Sequence, residues 1–145
     1  MGAGGQSVPD PGTWTILVAE DDSAVRAYFG KVLERQEYHV LKAVDGVNAL
    51  EVAAEYGGPI HLLLTDLAMP RLDGRELDRA LHLQHPEMNT VFVSGYCVAE
   101  FLPAGAFLPK PIVARELLRR VREALQRRTP HEQLPSQNRS RVAAE

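Results

Sequence analysis

The 145-residue chain contains one cysteine, Cys97, and one tryptophan, Trp14. A lone thiol forms no internal disulfide and no Cys/His spacing resembles a zinc site, so a reducing cytoplasm is the expected setting. Charge of one sign is equally scarce, with 16 Lys and Arg against 19 Asp and Glu, a formal net charge of -3 with the signs interspersed. Without a basic footprint, direct binding of nucleic acid is not expected. No apolar run approaches the roughly 20 residues that span a bilayer. Met1 to Ser7 has neither the basic nor the apolar region of a signal peptide, and Gln6 stands where the myristoylation pattern wants Ser or Thr. No membrane association is expected.

What remains is the composition of an ordinary globular protein, 45% hydrophobic and 24% charged, with length for one core. Residues 1–13 are Gly- and Pro-rich and 129–145 are polar without periodicity, so both read as disordered tails around one domain at 14–128. Inside it, short apolar runs alternate with helical patterns, which predicts a parallel sheet covered by helices on both faces. Strands are expected at Thr15–Ala19, Tyr38–Lys42, His61–Thr65, Val91–Val93 and Ala106–Pro109. The intervening helices run from Ser23, as cap, to about Gln36, from Asp45-Gly46 to Gly57-Gly58, and from Gly74 to about His85. Val47, Leu50, Ala53 and Ala54 form the expected apolar set of the second. A last helix spans about Val113 to Arg128, with Leu117, Leu118, Val121, Ala124 and Leu125 on one face and six arginines mostly on the other. Between Ser94 and Lys110 only 15 residues remain, little more than the roughly 10–12 that a whole crossover needs, and Pro103 interrupts them. A fourth helix is therefore expected to be shortened to a turn or two around Cys97–Leu102, or lost.

The chemistry-bearing residues fall at strand ends. Glu20 and Asp21 follow the first strand, Asp66 the third, Ser94 the fourth and Lys110 the fifth, and in an open α/β sheet ligands bind beyond the carboxyl ends of the strands. Three gathered carboxylates repel unless a proton or a cation compensates them, and Mg²⁺ is the cation suited to carboxylate and phosphate oxygens. One carboxylate can then attack a phosphoryl group and become an acyl phosphate, with Lys110 and the Ser94 hydroxyl holding phosphoryl oxygens. A carboxylate is already deprotonated at neutral pH, so no separate base is needed.

Four stretches in order, Ile16-Leu-Val-Ala-Glu-Asp-Asp22 with Arg26, Leu64-Thr-Asp66 with Met69-Pro70 and Asp73-Gly74, Val93-Ser-Gly95, and Phe107-Leu-Pro-Lys-Pro111, resemble the receiver domains of response regulators and hybrid histidine kinases. The resemblance implies a flavodoxin-like (βα)5 doubly wound sheet with strand order 2-1-3-4-5. It implies Asp66 as phosphoacceptor and Mg²⁺ on Glu20, Asp21, Asp66 and the backbone carbonyl of Ala68. Ser94 and Lys110 would then contact the phosphoryl group, and Ser94 and Phe107 would switch with it. A cis Lys110–Pro111 bond and a histidine kinase or histidine phosphotransfer domain as donor are implied too. The altered fourth helix argues for a monomer.

Two rivals are weighed on the residues. A Mg²⁺-dependent aspartyl-phosphate phosphatase wants a second carboxylate just after the nucleophile, and Ala68 counts against it. A pseudo-receiver binding module would lack the chemistry, which the intact set of Glu20, Asp21, Asp66, Ser94 and Lys110 opposes. Asp22 reads as a helix cap or a solvated residue, Cys97 as a small hydrophobe, and His82 and His85 as surface residues without function.

Overall fold

The structure is a computed structural model and describes residues 13–95 and 107–127. Strands β1 (Thr15–Ala19), β2 (His39–Ala43), β3 (Leu62–Asp66), β4 (Asn89–Ser94) and β5 (Phe107–Pro109) form one parallel sheet in the order β2-β1-β3-β4-β5. Helices α1 (Ser23–Glu34), α2 (Gly46–Tyr56), α3 (Gly74–His82) and α4 (Ala114–Gln126) complete the described elements. The expected shortened or lost fourth helix, around Cys97–Leu102, and both expected tails lie outside the described residues, apart from Thr13.

Alternation along the strands sends every second side chain to the opposite face. Ile16, Val18, Leu62, Leu64, Val91 and Val93 meet Phe29 and Leu33 of α1 and Leu117 and Val121 of α4. Leu17, Ala19, Leu41 and Leu63 meet Ala49 and Ala53 of α2 and Leu77 and Leu81 of α3. The central strands β1 and β3 are buried along their whole length, which is why both read as unbroken apolar runs rather than alternating ones.

Local chemistry sets the helix starts. Asp22, not Ser23, caps α1, its carboxylate accepting from the Ala24 and Val25 amides. A carboxylate there also meets the positive end of the helix dipole, which a hydroxyl does less well. Asp45 caps α2 through Asn48 N–H, and Asp73 caps α3 in a reciprocal capping box with Glu76. In α2 the buried residues are Gly46, Ala49 and Ala53, whereas Ala54 is exposed; adjacent alanines cannot both face the sheet. Helix α3 stops at His82, short of His85, and β2, β3 and β4 start or end one or two residues from the expected bounds.

His82 does more than occupy surface. Its ring nitrogens lie 2.9 Å from the Asp78 carbonyl oxygen and 2.7 Å from that of Met88, and Nδ1 is 3.1 Å from the Asp78 carboxylate. It ties the end of α3 to the start of β4. The i to i+3 spacing of two histidines gave no sign of this, because the one partner beyond α3 itself, the Met88 carbonyl, lies across a turn.

Candidate functional site

Parallel strands place their carboxyl ends on one edge of the sheet, so Glu20, Asp66, Ser94 and Lys110 converge there. Thr65 Oγ1 donates to the Asp66 carbonyl at 2.9 Å, and the Leu67 amide donates to Val93 O at 3.0 Å, fixing the exit of β3 against β4. Lys110 N–H donates to Ser94 O at 2.9 Å, joining the ends of β4 and β5. The Lys110–Pro111 bond is cis. Gly74 is required where it stands: a Cβ would lie 2.3 Å from the Asp66 carbonyl oxygen, so only glycine lets the start of α3 pack on the strand end.

Oxygens of Glu20, Asp21 and Asp66 lie within 4.8 Å of one another. Glu20 and Asp66 are buried and Asp21 is exposed. Lys110 Nζ stands between the buried pair, 3.2 Å from Glu20 Oε1 and 3.3 Å from Asp66 Oδ2. The Ala68 amide donates to Asp66 Oδ1 at 3.2 Å, and the Asp22 amide to Glu20 Oε2 at 3.1 Å. Arg26 donates to the Glu20 backbone carbonyl at 2.8 Å, bracing the turn without meeting the carboxylate.

Burial pushes the Glu20 carboxyl up to about 7, with Asp66 adding to the rise and the Asp22 amide and Lys110 opposing it. For Lys110, burial alone would depress the ammonium, but the attraction of Glu20 and Asp66 outweighs it and holds the group above its ordinary value. Glu20 Oε1 is buried and accepts no hydrogen bond among the described residues; its approach to Lys110 is an ion pair whose geometry falls short of one. One ammonium does not neutralise three carboxylates. A buried acceptor met only by a shared ammonium, beside a further carboxylate, is what a cation would relieve, and an all-oxygen donor set suits a hard one.

The structure thus gathers Glu20, Asp21, Asp66 and Lys110, places Ser94 at the same edge, and brings Ala68 to Asp66 through its amide. Phe107 opens β5, but its side chain lies outside the described residues. Arg71, in the loop after Asp66, was not among the expected site residues; its guanidinium donates to Asp45 Oδ2 at 2.7 Å and 3.2 Å. One arginine in a loop carries no pattern, and Asp45 was legible only as a helix start.

Comparison with known proteins agrees with this geometry. Residues 16–122 match the family described as the response regulator receiver domain. The sensor kinase CckA of Brucella abortus (strain 2308) is 40% identical over 122 residues, 80% of this chain but 13% of that protein. The response regulator receiver protein CpdR of the same organism is 34% identical over 116 residues, covering 76% of this chain and 95% of CpdR. The crystal structure of the receiver domain from the hybrid histidine kinase CckA superposes with a TM-score of 0.67 at 38% identity, covering 77% of this chain and 99% of that one. Among the described residues no helix is long and apolar enough to cross a membrane. With the five-stranded order, the acidic edge and the family match in agreement, the chain belongs to the response regulator receiver domain family.

Proposed function

We propose that Asp66 accepts a phosphoryl group from a phosphorylated histidine, and that Mg²⁺ held by Glu20, Asp21, Asp66 and the Ala68 backbone carbonyl assists. The observation that carries this reading is Lys110 Nζ standing 3.2 Å and 3.3 Å from Glu20 and Asp66, a fixed cation beside a buried nucleophile. A carboxylate oxygen of Asp66 attacks phosphorus, the bond from phosphorus to the donor's imidazole nitrogen breaks, and its electron pair leaves with that nitrogen. The ion, when bound, neutralises charge on the phosphoryl oxygens. Lys110 and the Ser94 hydroxyl take the remaining phosphoryl oxygens, and the shift of Ser94 towards them, with Phe107 following, is the switch. Attack of water on phosphorus later releases inorganic phosphate and restores Asp66. The domain catalyses these two steps on itself and acts on no other substrate.

An apolar groove of ≈ 440 Å³ opens beside the site, lined by Ala24, Val25, Tyr28, Phe29, Pro111 and Ile112 together with Lys110. Its continuity with the reacting centre through Lys110 suits it to hold the donor, a histidine kinase or histidine phosphotransfer domain. In this reading the chain works in the cytoplasm as a monomer and touches no nucleic acid directly.

The test is incubation with acetyl phosphate and Mg²⁺ followed by intact-protein mass spectrometry. One acid-labile phosphoryl group is expected, absent from Asp66→Asn and absent when the metal is chelated. Undiminished labelling of Asp66→Asn overturns the assignment.

A further inference from the structure

The loop between β3 and α3 begins at the carboxylate Asp66 and runs past Ala68 to the cap Asp73. Three of its residues are anchored away from the site. Met69 is buried in the core under α2 and α3, and Leu72 packs against the same cluster. The Leu72 backbone lies so close to the start of α2 that a Cβ on Gly46 would be 2.4 Å from its carbonyl oxygen. Arg71 is the third anchor. Its φ is 73°, a left-handed conformation unfavourable for a residue with a side chain, and it is held there by two hydrogen bonds to one oxygen of Asp45. The other Asp45 oxygen accepts from Asn48 N–H at 2.8 Å. A single carboxylate, 12% exposed, therefore caps α2 and ties the loop to that cap.

We infer that Arg71, acting through Asp45, is a positioning residue that fixes the loop bearing Ala68 against Asp66, and so sets the affinity of the acidic site for its cation. The inference rests on the functional reading above. Arg71 touches none of Glu20, Asp21 or Asp66 in the contacts described, so its effect runs through the backbone of 67–71. That backbone already meets the site in the Ala68 amide, 3.2 Å from Asp66 Oδ1. A left-handed position favours glycine, and a guanidinium there is explained by the charge it brings to Asp45 rather than by the turn itself.

The experiment compares the intact chain with Arg71→Gly, Arg71→Lys, Asp45→Asn and the Arg71→Gly/Asp45→Asn double variant. Arg71→Gly accepts the left-handed turn but removes the whole side chain and frees the backbone, so a folding failure is not expected, and Arg71→Lys and the double variant separate loss of the Asp45 contact from loosening by glycine; Asp45→Asn keeps a cap acceptor and removes the charge. Mg²⁺ affinity is read by calorimetry, and hydrogen exchange of the Ala68 amide is read in the metal-free protein. Arg71→Gly should weaken Mg²⁺ binding by about threefold to tenfold, below the tenfold or greater loss typical when a group bonded directly to a metal ligand is removed. It should also speed Ala68 exchange by a similar factor without altering labelling at saturating Mg²⁺. Arg71→Lys should recover part of the affinity, and the double variant should lose no more than Arg71→Gly alone. Unchanged affinity and unchanged Ala68 exchange in Arg71→Gly, with the wild-type chain binding Mg²⁺ and labelling on Asp66, overturn this inference and leave the functional reading standing. Strictly additive losses in the double variant also overturn it, since the two groups would then act separately. A wild-type chain that neither binds Mg²⁺ nor labels removes the functional reading and this inference with it.

Discussion

Replacing Glu20 by Gln should stabilise the metal-free protein, and only above a definable pH. Burial raises the Glu20 carboxyl from 4.5 to about 7 in the folded state. Between those values the folded chain holds a proton that the unfolded chain has released, so stability is greatest below pH 4.5 and falls as pH rises to about 7. At about 1.4 kcal/mol per unit, the shift sets a ceiling of about 3 kcal/mol on the loss. Gln is a permanently neutral isostere and should abolish it. Other groups titrate in the same range: burial holds the His85 imidazole below its ordinary value with His82 adding to this, which acts in the opposite direction as pH falls. The informative quantity is therefore the difference between Glu20→Gln and wild type. Urea denaturation in chelator at pH 5 and pH 8 should show the variant ahead by less than about 1 kcal/mol at the lower pH, just above the unfolded carboxyl's 4.5, and by up to about 3 kcal/mol at the higher. Saturating Mg²⁺ at pH 8 should narrow or reverse the gap, because a ligand that binds only the folded state stabilises whichever chain binds it more tightly. A gap independent of pH, or a wild type no less stable than the variant at pH 8 in chelator, would refute the argument that the buried carboxyl is strained by its own charge.

Lys110→Ala should bind Mg²⁺ at least as tightly as wild type in calorimetry, since Nζ competes for the same Glu20 and Asp66 oxygens at 3.2 Å and 3.3 Å, while the phosphorylated variant should lack the spectral changes that accompany switching. Gly74→Ala should cost about 1–3 kcal/mol in urea denaturation, because its Cβ would sit 2.3 Å from the Asp66 carbonyl oxygen and either α3 or the strand end must move. His82→Ala should cost about 1–2 kcal/mol by losing the bonds to Met88 O and Asp78, with labelling by acetyl phosphate unchanged.

The sequence by itself determined the elements and the edge on which the chemistry collects. Apolar runs such as Ile16–Ala19 and Leu62–Leu64 suit burial on both faces, and their alternation with helical patterns points to a parallel sheet between helix layers. Once the strands are parallel, any residue at a strand's carboxyl end lies on one edge, so Glu20, Asp66, Ser94 and Lys110 were legible as a group. Caps were partly legible, because they depend on residues two or three apart: Asp45 was read correctly, but for α1 both Ser23 and its neighbour Asp22 were candidates, which local pattern alone does not separate. What tertiary structure decided is everything that depends on distance between residues far apart in the chain. That Glu20 is more deeply buried than Asp21, that Lys110 is shared between two carboxylates, that Arg71 reaches Asp45 across 26 residues, and that His82 closes onto Met88 follow from packing of whole elements. Charge interactions scale with separation and desolvation, and neither is encoded in the identity or spacing of the residues concerned.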